Sequence, residues 1–175
     1  MINYEDRHPD PLRRLVRKAA GIIPMHWIRP RLLVGIDRGV FRLSRGRTTF
    51  SAWISGLPII MLTTTGARSG QPRTLPVLAL PEDDHLVLIA SNFALPSNPG
   101  WYYNLRAQPN VMITWKGSSV EMQARELTGA ERQQYVDLSL KTYPWWEQYH
   151  RRAAPRTIPV IMLERLDGTS GRSAP

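Results

Sequence analysis

The sequence predicts an α+β fold, mainly β: a small antiparallel barrel decorated by helices, with an N-terminal helical extension. Three observations lead there. Hydrophobic periodicity is helical before about residue 45 and strand-like after about residue 58. The strand-like runs fall into pairs joined by short turns, as in β-hairpins. Two helical inserts interrupt them, and this order suits an antiparallel barrel rather than a parallel doubly wound sheet. With 175 residues and 42% hydrophobic content, the chain is one ordinary domain that buries its own core.

The elements follow in order. Pro11–Ala20 reads as a helix, with Asp10 as cap and Pro11 at the first position. Leu12, Leu15, Val16, Ala19 and Ile23 share one face, and Arg13, Arg14, Arg17 and Lys18 the other. A second helix is predicted from about Arg31 to Ser44. Its stripe is Leu32, Ile36, Val40 and Leu43, opposite Arg38, Arg42 and Arg45. Pro58–Thr65 is a short β-branched, apolar strand, and Gly66–Pro72 is a turn. Arg73–Leu80 and His85–Ser91 form a hairpin across Pro81–Asp84. Asn98 is expected to cap a helix with Pro99 at its first position, Trp101, Leu105 and Tyr102 inward, and an end at Gln108–Asn110. Val111–Trp115 and Ser119–Glu126 form a second hairpin, with Val120, Met122 and Ala124 alternating against Glu121, Gln123 and Arg125. Thr128 to Glu131 matches a capping box for a helix reaching about Thr142, with Tyr135, Leu138 and Leu140 as apolar contacts. Pro144 ends it, a short segment over Trp145–Arg152 follows, and Ile158–Leu166 closes the sheet.

Composition excludes several chemistries. Without cysteine there is no disulfide framework, thiol nucleophile, Cys-ligated zinc or iron–sulfur cluster. The four histidines (His8, His26, His85, His150) lack metal-ligand spacing, and His85 reads as the polar edge of a hairpin. No nucleophile elbow, Walker sequence or Gly-x-Gly-x-x-Gly is present. Any enzyme built on this chain therefore borrows its reactivity from an organic cofactor.

The net charge is +9, from 23 basic and 14 acidic side chains. Residues 1–50 carry +7 of it, so the body is nearly neutral and nucleic acid is not an expected partner. No secretory signal is read, because residues 1–10 are polar and acidic. The uncharged 20-residue stretch Thr48–Ala67 is half Thr, Ser, Gly and Pro, unlike a membrane span. A cytoplasmic location is expected. The basic amphipathic stretch over 11–45 suits peripheral contact with an anionic membrane, or packing on the barrel with its arginines in solvent. The domain reading is a basic helical extension (1–37), a barrel domain (38–166) and a flexible tail (167–175).

Three stretches carry candidate chemistry. In Gly66–Arg73 (GARSGQPR), two glycines let backbone N–H groups approach a ligand, and Arg68 and Arg73 match phosphate or carboxylate; a plain solvated hairpin turn has the same pattern. In 143–149 (YPWWEQY), Tyr143, Trp146 and Tyr149 are spaced by three. They suit the wall of a flat ligand as well as an aromatic core cluster. In 98–105 (NPGWYYNL), Asn104 is the element that a packed helix alone does not explain.

Together these motifs resemble the deazaflavin-dependent nitroreductase family. The resemblance is carried by Leu62-Thr63-Thr64-Thr65-Gly66, Arg68-Ser69-Gly70-Gln71-Pro72-Arg73, Ser91, Asn98-Pro99, Trp101-Tyr102, Asn104-Leu105, Tyr143-Pro144 and Arg156-Thr157-Ile158-Pro159-Val160. It covers about residues 38–166 and implies a split β-barrel related to flavin-binding barrels. It also implies coenzyme F420, a two-electron hydride donor common in actinobacteria, and quinone or nitroaromatic acceptors. Arg68, Ser69 and Arg73 would then hold the phosphate and tail. Pro76, Ser91 and Asn92 would lie by the ring, with Trp101 and Asn104 supporting the pocket. Tyr143, Trp146 and Tyr149 would line the acceptor side, and Tyr143 and Ser91 would be the catalytic pair. The chain carries Ala67 where a basic residue is frequent, Asn92 where a lysine is, and Trp146 where a tyrosine is. Trp146 ranks quinones ahead of bulky nitroaromatics. A non-catalytic barrel carrying a flavin, haem or lipid is the competing expectation, which Ala67 and Asn92 favour because they thin the basic cradle for the coenzyme.

Overall fold

A computed structural model describes residues 30–166, except 56, 83, 144 and 145. The predicted helix Pro11–Ala20, the tail 167–175, His8, His26 and Trp145 lie outside the described residues.

Helices α1 (Pro30–Leu43) and α2 (Phe50–Ser55) come first, then strands β1 (Ile59–Thr65), β2 (Pro72–Glu82) and β3 (His85–Ile89). Helix α3 (Gly100–Ala107) leads to β4 (Asn110–Trp115) and β5 (Ser118–Glu126). Helices α4 (Gly129–Thr142) and α5 (Trp146–Ala153) precede β6 (Val160–Arg165). The strands close a six-stranded barrel in the order β1-β2-β3-β6-β5-β4, with β4 paired back to β1. All its pairings are antiparallel.

Period-two alternation builds two cores. Ile60 and Leu62, Leu86 and Leu88, Val111 and Ile113, and Ile161 and Leu163 point into the barrel, where Trp101, Tyr102 and Leu105 of α3 join them. The intervening residues Val87, Ile89, Val160 and Met162 face outward into a second cluster. Tyr135 and Val136 of α4 and Trp146 and Ala153 of α5 cover them. The predicted alternation along β5 holds: Met122 is buried while Glu121, Gln123 and Arg125 are exposed.

Strand β2 outruns β3. Its pairing with β3 starts only at Ala79, leaving the outer edge of 72–78 open. Pro76, which has no N–H to offer a neighbour, sits in that stretch. The Arg38 Nε–H of α1 donates to the Thr74 carbonyl there at 2.8 Å. Helix α1 runs across the 37/38 position taken from the sequence as a domain boundary.

Several local expectations are corrected. The α1 stripe Leu32, Ile36 and Leu43 is exposed at 61%, 39% and 87%; Leu33 and Asp37 face the fold instead. The apolar arc of α1 is wider than its contact, and packing selects one side of it. Asp37 is buried because its carboxylate accepts the Ser51 N–H and the Ser51 hydroxyl, each at 2.7 Å. Asn98 does not cap α3. Pro99 takes the cap position with an extended backbone, and the Asn98 side chain bonds Arg156. Thr128 makes no side-chain cap bond, and Glu131 pairs bidentately with Arg125 instead of closing a capping box. The guanidinium fork engages both carboxylate oxygens of Glu131, whereas a capping bond would use one.

Candidate active site

Strand direction gathers the candidate segments. Antiparallel alternation puts the β1–β2 turn, the segment after β3, the start of β4 and the start of β6 at one end of the barrel. The β2–β3 and β4–β5 turns lie at the other end.

At the first end, residues 66–71 form a tight turn. The Gly66 N–H donates to the Gln71 carbonyl at 2.9 Å, and the Gly70 N–H to the Gly66 carbonyl at 2.8 Å. A β-carbon at Gly66 would sit 2.7 Å from the Ser69 hydroxyl and 3.1 Å from the Gln71 carbonyl, so any other residue would displace Ser69 and crowd the turn. Arg68, Ser69 and Arg73 are all exposed, and Arg73 donates to the Ser69 Oγ at 3.3 Å. Among the described residues neither guanidinium has a carboxylate partner. Asn104 of α3 fixes this turn: its Oδ1 accepts the Ala67 N–H at 3.0 Å, and its Nδ2 donates to the buried Thr64 hydroxyl at 2.9 Å. Asn104 thus supports the basic turn, and Trp101 lies behind it in the barrel core. Two permanently charged forks and a hydroxyl, held on a rigid turn without an internal counter-ion, fit phosphate and carboxylate groups.

The segment after β3 is strained. Asn92, Phe93 and Ala94 have φ of 48°, 55° and 59°, three successive non-glycine residues in the left-handed region. Such a conformation costs about 1–2 kcal/mol per residue. Asparagine tolerates it best, and Asn92 turns its amide onto the Ser97 carbonyl at 2.8 Å. The Ser91 carbonyl accepts the Ala94 N–H at 2.9 Å, and the Ser91 hydroxyl has no hydrogen-bond partner among the described residues. Pro76 is partly buried on β2, opposite Met61.

The aromatic trio is divided. Tyr143 is not on the helix of the other two: it is the C-cap of α4, with φ −133°, while Trp146 and Tyr149 lie on α5. Tyr143 and Trp146 still meet edge to face, with ring centroids 6.3 Å apart at 78°. Trp146 is buried within the outer core, and Tyr143 and Tyr149 pack against that core partly buried. Burial raises the Tyr149 phenol pKa above its ordinary value, with the Arg152 charge opposing. The Tyr149 phenol is therefore protonated at neutral pH and able to donate. Helix α5, which carries Trp146 and Tyr149, packs on the left-handed turn that follows Ser91.

Sequence reasoning gave Arg156 no role. In the structure it makes four hydrogen bonds to that same segment. His85, read as a hairpin edge, bonds Tyr135 of α4 at 3.0 Å. Among the described residues no His, Asp and Glu cluster could hold a metal, and no helix is long and apolar enough to cross a membrane.

A closed six-stranded barrel with α3 in its core, and a basic turn whose guanidinium groups have no carboxylate partner among the described residues, defines a small-barrel protein with a candidate anion-binding end. The chain belongs to the F420H(2)-dependent quinone reductase family, whose family model matches residues 38–165. It is 43% identical over 139 residues to an F420H(2)-dependent quinone reductase of Mycobacterium tuberculosis, covering 76% of this chain and 90% of the relative. A solved F420-H2 dependent reductase superposes with TM-score 0.56 at 35% identity, over 61% of this chain and 94% of that one. Another solved structure, described as a domain-swapped dimer, gives TM-score 0.58 at 31% identity, over 81% and 99%. The protein is an oxidoreductase, coenzyme F420 is its cofactor, and the barrel is of the split type.

Proposed function

We propose that this chain reduces a quinone of the menaquinone type with F420H2, and accepts nitroaromatics as secondary substrates. When bound, the reduced coenzyme supplies a hydride. The observation that carries the reading is the Gly66–Arg73 turn, two uncompensated guanidinium groups on a backbone pinned by Asn104. In this reading Arg68, Ser69 and Arg73 bind the phosphate and tail carboxylates. Pro76, Ser91 and Asn92 flank the ring, and Trp101 and Asn104 hold the turn from behind. Tyr143 donates a hydrogen bond to the acceptor oxygen, with Trp146 and Tyr149 completing that wall. Orientation and charge stabilisation are what such a transfer asks of the protein.

The exposed row Leu32, Ile36 and Leu43, with exposed Trp53 on α2, supports a peripheral membrane contact within the 11–45 stretch. Arg42 and Arg45 lie exposed on the same helix or just beyond it, where they favour anionic lipid. A membrane-dissolved quinone would then be met at the surface that holds it.

The test is fluorescence titration of purified protein with F420H2, followed by stopped-flow oxidation with menadione and a nitroaromatic panel. Tight binding and faster turnover of menadione are expected. Absence of coenzyme binding would sink the reading. Tyr143→Phe should lower menadione turnover more than coenzyme affinity.

A further inference from the structure

The left-handed turn 92–94 needs a physical reason to persist, because Phe93 and Ala94 disfavour that backbone. The bonds within the turn are few: the Ala94 N–H to the Ser91 carbonyl and the Leu95 N–H to the Asn92 carbonyl at 3.0 Å. The remainder converge on one side chain from the other side of the fold. Arg156 Nη1 donates to Asn98 Oδ1 at 2.6 Å and to the Ala90 carbonyl at 3.3 Å. Arg156 Nη2 donates to the Ser91 carbonyl at 3.0 Å and to the Leu95 carbonyl at 3.1 Å. Two of these carbonyls precede the turn and one follows it, so the guanidinium bridges both of its ends.

All four acceptors are neutral, and Arg156 has no carboxylate partner among the described residues. An arginine placed for surface charge would sit in water or on an acid. Here its planar fork is spent on backbone geometry, a task for which a single lysine ammonium lacks both the reach and the donors. Its own backbone ties it to the aromatic helix, since the Arg156 N–H donates to the Ala153 carbonyl at the end of α5 at 3.0 Å. Phe93, at the centre of the turn, is 41% exposed, so the strain does not serve to bury it.

We propose that Arg156 is a positioning residue: it holds the left-handed turn so that the Ser91 hydroxyl and the Phe93 ring face the coenzyme and its acceptor. The proposal rests on the reading of Ser91 as a ring contact. Arg156 touches neither reactant and acts through the turn.

The test compares the wild type, Arg156→Lys, Asn98→Ala, and Arg156→Lys combined with Ala94→Gly. Arg156→Lys should raise the F420H2 dissociation constant about tenfold, as expected for loss of hydrogen bonds from a charged donor. It should also speed hydrogen exchange at the Ala94 and Leu95 amides, while the Leu88 and Leu163 amides keep their protection. Asn98→Ala, which removes only the shortest contact, should move both readouts less. Glycine adopts the φ of position 94 without strain, so the double variant should regain most of the affinity lost by Arg156→Lys. Unchanged exchange at Ala94 and Leu95 in both single variants would overturn the clamp. Faster exchange with wild-type coenzyme affinity would overturn its role in positioning, as would a folded double variant that regains nothing. If Arg156→Lys does not fold, Asn98→Ala decides by the same two readouts. Exchange reports on the clamp even if the wild type binds no coenzyme, a result that would reject the functional reading separately.

Discussion

Asn104 Oδ1 accepts the Ala67 N–H at 3.0 Å, so a side chain on helix α3 holds the backbone of the β1–β2 turn. Its Nδ2 also reaches the buried Thr64 hydroxyl, and one amide thereby spans the end of β1 and the residue before Arg68. The basic turn is preorganised before any anion arrives, which lowers the cost of ordering it on binding.

Asn104→Ala removes both bonds. Each is worth about 1 kcal/mol, so thermal melting should show a loss of a few degrees. F420H2 affinity should fall severalfold while the menadione KM stays within error. A larger change in the menadione KM than in coenzyme affinity would reject this assignment.

Arg68→Ala and Arg73→Ala should each weaken F420H2 binding about tenfold, the scale of one charge-assisted hydrogen bond. Because both guanidinium groups are exposed, wild-type affinity should fall with added salt, and the double variant should lose most of that slope. Titrations at two ionic strengths check both points.

Asp37 sits buried on α1 and accepts two hydrogen bonds from Ser51 at the start of α2. Asp37→Ala removes the acceptor of both Ser51 bonds and should cost about 2 kcal/mol in urea unfolding. Asp37→Asn keeps an acceptor and should cost less.

Burial holds the His150 imidazole below its ordinary pKa, and the nearby Arg132 charge adds to the effect. The folded state thus favours the neutral ring. Its contribution to stability is full above the unfolded pKa of about 6.5 and is lost as pH falls through that value and on through the lower folded pKa. Melting temperature should drop between pH 7.5 and 5.5, and less steeply in His150→Gln. Parallel curves for the two proteins would exclude His150 as the group responsible.

Leu32 and Leu43 expose apolar surface on α1. Replacing both with Glu should reduce co-sedimentation of full-length protein with anionic liposomes severalfold and leave the melting temperature nearly unchanged, because neither side chain packs on the barrel. Equal, salt-insensitive binding by the wild type and the variant would remove the membrane contact.

The strands were legible because burial on one side imposes period two, and Pro, Gly and Asn mark the turns between them. The helix ends were less so. Asn98 and Glu131 both carry cap chemistry in the sequence, yet each is taken by an arginine brought from another element. The buried face of α1 is not legible for a related reason: a wide apolar arc fits burial on either flank, and only the position of α2 and β2 selects Leu33 and Asp37. The aromatic spacing over 143–149 suggests one helical face, whereas Tyr143 ends α4 and Trp146 begins α5.

By itself the sequence determined the barrel class, the glycine-bounded basic turn and the dependence on a borrowed cofactor, since each is written in local pattern or in missing residue types. The tertiary structure decided which segments share one end of the barrel and which side chains hold them there. Asn104 reaches Ala67 across 37 positions, and Arg156 reaches Asn98 and Ala90 across 58 and 66. Such bonds join groups that nearly every chain contains, so no periodicity or composition announces them, and only strand order brings their partners within 3 Å or so.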